Sequence, residues 1–361
     1  MKRSFIYAIF MFAWFTLSSW GFFAHMQINQ LAVYTLPQGL SRFYKNNMKY
    51  IRDHAVDPDK RRYSDSLEAP RHYLDVEVYE KSIDSIPFKW EDALAKYGRA
   101  RLQESGTLPW QIQISYYKLV NAFKARDSIR ILLYSAYLGH YLGDAHVPLH
   151  TTENHNGQLS NQSGIHAFWE SRLPELFAKD YNFLVGRASY IDNPLKAAWK
   201  IVKHSHGLVD STLSLEQELK KATPAFSRYS YSKRKGQVLK QYSSQYSRAY
   251  NLKLNHMVEK QMRSSIKAVG DFWFSAWVDA GQPKMENMIR VPDSELERQR
   301  EERLNNKCEG GKDYRTRKLN FRNFLLAEFR FQSCKYRREE SYYGNHKNHN
   351  IKILLYHWNL A

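Results

Sequence analysis

The sequence predicts a mainly α-helical protein, and three observations predict it. Apolar residues recur at helical spacing along most of the chain up to about residue 279. The plainest case is the stripe Ile129, Leu132, Leu133, Ala136 and Tyr137, which runs on into His140. No series of alternating segments marks a set of strands, and no internal repeat is present. No glycine-rich turn stands where a strand-to-helix phosphate loop would need one.

Taken in order, residues 1–19 read as a secretory signal peptide. Lys2 and Arg3 form the positive end, a largely apolar run from Phe5 to Leu17 follows, and Ser18-Ser19 supplies a small residue before the cut. The run is short for a membrane span, and no cysteine follows it to carry a lipid. The alternative reading is an uncleaved N-terminal anchor. Cleavage after Ser19 would make Trp20 the first residue, and export would leave the protein secreted or periplasmic. A free α-amino nitrogen and the carbonyl oxygen of the same residue form a five-membered chelate for a metal, available only after processing.

Residues 28–50 carry a helical pattern (Ile28, Leu31, Ala32, Tyr34), interrupted at Pro37-Gln-Gly39 and resumed at Leu40. Residues 54–79 are rich in carboxylates. Helices are expected at 90–97, 108–123, 127–143, 194–206 and 212–222, and a long one over 237–279 with a break at Gly270. Residues 226–235, rich in Tyr, Ser and Lys, read as a loop. The character changes near Pro283, so 20–284 is expected to be one multi-helix domain. Residues 285–361 are expected to be a charged, poorly ordered extension.

Composition narrows the chemistry. The chain of 361 residues carries a net charge of +18 and a pI near 9.6, which favours an anionic partner: nucleic acid, anionic lipid or a phosphorylated small molecule. Aromatic residues make up 15%, which suits a tyrosine-rich helical core or a surface on which bases stack. The two cysteines, Cys308 and Cys334, exclude a disulfide framework in the first three hundred residues. A metal site there must use His, Asp and Glu. No His-Glu-x-x-His motif is present, which argues against a zinc metalloprotease.

The densest chemistry lies in residues 140–170. His140 and Asp144 stand four apart, so on a helix they project from one face. His166 and Glu170 repeat that spacing, with His150 and His155 between the pairs. Two His-x-x-x-carboxylate pairs with further imidazoles between them can gather nitrogen and oxygen donors around zinc.

Separated motifs in a fixed order extend this set: Trp20-Gly-x-x-x-His25, Asp59-x-x-Arg62-Tyr63, Pro70-x-His72-Tyr73-x-Asp75, and Gly164-x-His166-x-x-x-Glu170. Between the last two stands His140-x-x-x-Asp144-x-x-x-Pro148-x-His150. Together they resemble the superfamily that joins zinc-dependent single-strand nucleases of fungi and plants with bacterial zinc-dependent phospholipase C. The resemblance covers about Trp20 to Pro283. One spacing departs from the pattern, with three residues rather than four between Asp144 and the proline.

The resemblance implies a helical fold with three zinc ions in one cleft. One ion would take Asp59, His72, His140 and Asp144, and a second His150, His166 and Glu170. The third would take Trp20 and His25, with Asp144 bridging. Asp57 competes with Asp59; Asp59 is preferred because it begins the Asp-x-x-Arg pattern. His146 and His155 match no ligand position and read as loop or supporting histidines. The implied chemistry is phosphodiester hydrolysis by metal-activated water, with Asp59 orienting the water and Arg62 holding the phosphate. Tyr73 would stack on a base, or pack in the core, and Asp75 would hydrogen-bond the base.

Substrate signals are mixed. The Trp20–His25 step, Asp59-x-x-Arg62 and the positive charge favour single-stranded DNA or RNA, or nucleotides. Glu170 stands where the phospholipase has Glu and the nucleases usually have Asp, and a basic aromatic surface would also suit a phospholipid surface. A zinc-loaded binding protein without turnover is the non-enzymatic alternative. No obligate protein partner is evident.

Overall fold

The computed structural model describes residues 22–234, 237–285 and 288. The signal region, Trp20 and almost all of the C-terminal extension lie outside them. Helices come first: α1 (Phe22–Ala32), α2 (Gln38–Asn46), α3 (Met48–Asp53) and α4 (Asp57–Arg61). A 3-10 turn, Ala69–His72, precedes α5 (Val76–Tyr79); α6 (Trp90–Ser105), kinked at Gly98 where φ is 72°, and the long helices α7 (Leu108–Lys124) and α8 (Ser128–Ala145) follow. A second 3-10 turn, Pro148–Thr151, leads through a polar loop to α9 (Ile165–Ala167). That helix runs through a π-helical stretch, Phe168–Arg172, into α10 (Leu173–Phe177). Then come α11 (Pro194–His206), α12 (Val209–Ala222) and α13 (Ala225–Arg228). A hairpin of β1 (Tyr229–Arg234) and β2 (Gln237–Tyr242) precedes α14 (Ser244–Lys253) and α15 (Met257–Asp279).

The mainly α expectation holds, and the local reasons are visible. The side chain of Asp127 accepts from the Arg130 amide and caps α8, as Asn193 does for α11 through Lys196 and Ser243 for α14 through Tyr246. Pro109 and Pro194 sit in the first turns of α7 and α11, where no amide partner is lost.

Two expectations fail. Residues 229–242 form an antiparallel hairpin instead of a loop and a helix start, with Tyr229 opposite Tyr242 and Ser232 opposite Leu239. Tyr242 stacks on Phe168 with ring centroids 3.8 Å apart, so aromatic packing holds this short sheet against the helices. The helix also does not break at Gly270. It breaks earlier, at Asn255 and His256, both with positive φ. Gly270 is an interior residue of α15, where a Cβ would meet the Thr35 hydroxyl at 1.9 Å.

The core is aromatic. Trp110, Trp273, Tyr44, Tyr116, Phe123 and Phe272 are among its largest buried side chains. Tyr44 stacks on Trp273, and both bond to Ser135 of α8, Tyr44 to the hydroxyl and Trp273 Nε1 to the carbonyl. The site depends most on the approach of α1 to α8. Asn29 of α1 is fully buried and donates to the carbonyls of Ala136 (3.0 Å) and Ile51 (3.4 Å), tying α1 to α8 and α3. Gly139 lets that amide come close, since a Cβ there would sit 2.0 Å from Asn29 Oδ1. No helix among the described residues is long and apolar enough to cross a membrane.

Candidate metal centre

Five parts of the chain converge on α8. The helical period puts His140 and Asp144 on its inward face, and both are buried. From one side α1 brings His25, which fits because Gly143 has no side chain. From another side α4 brings Asp59, and the 3-10 turn Ala69–His72 ends on His72. The turn Pro148–Thr151 carries His150. The polar loop closes at Gly164, whose φ of 97° suits glycine, and the next helix presents His166 and Glu170. Glu170 lies within the π-helical stretch, a distortion common where a helix carries function.

The donor atoms form three groups, each with ligand atoms within 4.8 Å of one another: Asp59, His72 and His140; His25, His140 and Asp144; His150, His166 and Glu170. His72 Nδ1 lies 3.0 Å from His140 Nε2, 2.9 Å from Asp144 Oδ2 and 3.7 Å from Asp59 Oδ1. Asp144 faces both ways. Its Oδ2 meets His72 and His140, while Oδ1 lies 3.3 Å from His25 Nε2 and 3.8 Å from His150 Nε2. Glu170 gathers His166 at 2.9 Å, His25 at 3.1 Å and His150 at 3.6 Å.

Backbone carbonyls set two of the rings. His150 Nδ1 donates to the His72 carbonyl at 2.6 Å, and His166 Nδ1 to the His155 carbonyl at 3.2 Å. A ring nitrogen facing a carbonyl must carry the proton, so in each ring Nε2 is left with its lone pair toward the cluster.

Electrostatics point to a cation. Burial alone would raise the carboxyls of Asp144 and Glu170, yet the surrounding histidines hold both well below the usual carboxylate range. Their ion-pair partners among the described residues are all histidines. Burial pushes His140 down to about 4. His150 is pushed up to about 9: burial opposes the rise, and Asp144 and Glu170 outweigh it. Two buried carboxylates among converging imidazoles form a nitrogen-and-oxygen donor set with no thiolate. That set fits zinc.

The remaining predicted residues divide clearly. Arg62 lies 3.6 Å from Asp59 and is 46% exposed. Tyr73 is half-buried and its hydroxyl donates to the Glu104 carbonyl. Burial pushes the Tyr73 phenol up; the Asp75 charge adds to this and the nearby Arg62 opposes it. Asp75 is raised to about 7 by burial, then by Glu77 and Glu153, against the pull of His150. Arg62, Tyr73 and Asp75 therefore occupy one flank of the cluster.

Asp57 belongs to none of the three groups. It is fully buried and holds His54 Nδ1 at 2.6 Å and Lys60 at 3.2 Å. His146 ends α8 with its Nδ1 on the Leu142 carbonyl, and His155 is exposed and lends His166 its carbonyl. Trp20 lies outside the described residues.

Sequence reasoning missed Glu68, which is fully buried beside His72. A signal was present: Glu68 and His72 are themselves four apart. It also missed the contact of His25 with Glu170, which joins two of the groups.

A family model described as zinc dependent phospholipase C matches residues 24–233, a span that includes every described donor. A search of curated proteins finds no match to the chain.

Proposed function

The chain belongs to the zinc-dependent phospholipase C family, a family of zinc-dependent phosphoric ester hydrolases, and from that premise we propose a secreted or periplasmic enzyme that cleaves single-stranded nucleic acid or nucleotides. The observation that carries the choice is the flank formed by Arg62, Tyr73 and Asp75. It sets a cation, an aromatic ring and a carboxyl beside the donor cluster.

Asp59, His72, His140 and Asp144 would hold one zinc, and His150, His166 and Glu170 a second. His25, Asp144 and the processed N-terminal Trp20 would hold a third. Bound zinc supplies Lewis acidity that makes water a stronger acid and offsets charge on phosphoryl oxygens. The chain's own groups do the rest. Asp59 is the most exposed of the cluster carboxylates, 24% against 1% for Asp144 and 10% for Glu170. It is the carboxylate able to accept a hydrogen bond from an attacking water. Arg62 reaches solvent beside it and offers planar paired donors to the phosphate. The Tyr73 ring gives a base a face to stack on. Asp75, held near neutrality, can accept from or donate to a base edge.

Phospholipid is the second reading, favoured by Glu170 at the position where the phospholipase has Glu. The deciding experiment uses naturally exported protein with its zinc content recorded, assayed on single-stranded DNA and on phosphatidylcholine side by side. Turnover of DNA and loss of that turnover in Arg62→Ala and Tyr73→Ala support the nuclease. Turnover of lipid alone overturns it.

A further inference from the structure

Glu68 has no part in the mechanism above, yet it is the most heavily partnered carboxylate near the cluster. Its side chain is fully buried. The Arg61 guanidinium reaches both oxygens, at 3.1 Å and 3.3 Å, and Arg71 donates to Oε2 at 2.6 Å. The Tyr141 hydroxyl donates to Oε1. The same Oε1 lies 3.6 Å from His72 Nε2.

These partners come from α4, from the turn that ends at His72, and from α8. The same three elements supply Asp59, His72, and the pair His140 and Asp144. Burying a carboxylate and a guanidinium is costly, and an apolar pair of similar volume would often do as well for stability alone. The placement makes sense at His72. That ring turns Nδ1 toward His140 and Asp144, so Nε2 faces away from the cluster. Glu68 stands 3.6 Å from Nε2, outside hydrogen-bond distance, so it acts through its charge: a carboxylate on that side favours the ring proton at Nε2 and leaves the Nδ1 lone pair for a metal.

Arg61 completes the arrangement. Its guanidinium lies 4.0 Å from the centre of the Tyr137 ring and 3.3 Å from the Tyr141 hydroxyl, both on α8. Anchoring Arg61 inward fixes α4, and its neighbour Arg62 then stands on the cleft side next to Asp59.

We propose that Glu68 is the positioning residue of the Asp59–His72–His140 group: it orients the His72 ring for ligation through Nδ1 and clamps α4 to α8 so that Asp59 stays in reach. This rests on the zinc reading of the cluster.

The test measures zinc binding, not turnover, on naturally processed full-length protein by competition with a chromogenic chelator. The variants are Glu68→Gln and the charge-balanced double variant Arg61→Gln/Glu68→Gln, which removes the Arg61 guanidinium together with the carboxylate and leaves Arg71, 32% exposed, beside Asp65. Glu216→Gln is the control, since Glu216 is equally buried but bonds Gln162 and Tyr246 away from the cluster. The expected result is a 10- to 100-fold weaker affinity for one zinc in both Glu68 variants, the range for partners that support a ligand, with Glu216→Gln unchanged. A folded double variant that binds every zinc as tightly as wild type overturns the proposal.

A second readout needs no variant to fold. The ring nitrogen NMR signals of His72 in zinc-loaded wild type should show a protonated Nε2 and a metal-bound Nδ1; ligation through Nε2 overturns the proposal. Wild-type protein that binds no zinc would instead defeat the reading of the cluster itself.

Discussion

Gly143→Ala adds one methyl group where His25 of α1 lies close against α8. Built on the backbone, that Cβ lies 2.7 Å from His25 Nδ1 and 2.9 Å from its Cε1. Ordinary contact begins at 3.4 Å, so the ring must retreat by 3.4 − 2.7 = 0.7 Å. Its Nε2 now stands 3.3 Å from Asp144 and 3.1 Å from Glu170, and ligand distances tolerate only about 0.2 Å. The helix gains about 1 kcal/mol from replacing an interior glycine. Overpacking costs about 1–3 kcal/mol. Net stability should fall by no more than about 2 kcal/mol, while the zinc held by His25 weakens sharply and phosphodiester hydrolysis falls with it.

Gly139→Ala, one turn earlier, separates the two effects. Its Cβ would meet Asn29 Oδ1 at 2.0 Å, and the Asn29 amide hydrogen-bonds to the Ala136 and Ile51 carbonyls rather than to a donor of the cluster. If the amide swings away it loses two buried hydrogen bonds, about 1 kcal/mol each. This variant should melt at lower temperature yet keep its zinc. Calorimetry and metal analysis of the pair check the expectation. Full zinc content and full activity in Gly143→Ala would refute the idea that this glycine admits His25 to the site.

Asp59→Asn should lose zinc and more than about 100-fold in activity, beyond the 10–100-fold typical of residues that merely support a ligand. Asp57→Asn should keep its zinc but lose about 1–3 kcal/mol of stability, because His54 and Lys60 lose a charged partner; equal zinc loss in both variants would contradict the assignment. The raised carboxyl of Asp75 means that the folded chain binds its proton more tightly than the unfolded chain. Stability from this group is therefore full below 3.8 and declines as pH rises toward about 7. In the metal-free protein Asp75→Asn should accordingly melt like wild type at pH 4 and higher than wild type at pH 8; a difference independent of pH would count against it. A form with one residue ahead of Trp20 should lose one zinc and most activity, and three bound zincs with normal turnover would exclude the N-terminal chelate.

The long helices were legible because each carries one apolar stripe and a marked start: Asp127 before α8, Pro109 in α7, Asn193 and Pro194 at α11. The hairpin was not. None of its described side chains is fully buried, so no apolar stripe marks it, and what holds it is a stack on Phe168, some seventy positions away. Gly270 read as a break because glycine weakens helices, but the residue serves contact with Thr35. The convergence of the cluster histidines was legible for a similar reason to the long helices, since spacing on one helix puts two donor side chains on one face.

Spacing could not choose between Asp57 and Asp59, which share the first turn of α4. The fold separates them by geometry. Residues two apart on a helix point about 200° from each other, so only one can face α8 and its histidines. Asp59 does, and Asp57 turns to His54 and Lys60. Glu68 was hidden for a different reason. A carboxylate that steadies a ligand without touching metal has no motif of its own, and in a chain with 36 acidic residues the four-residue step from Glu68 to His72 stands out only once burial marks it.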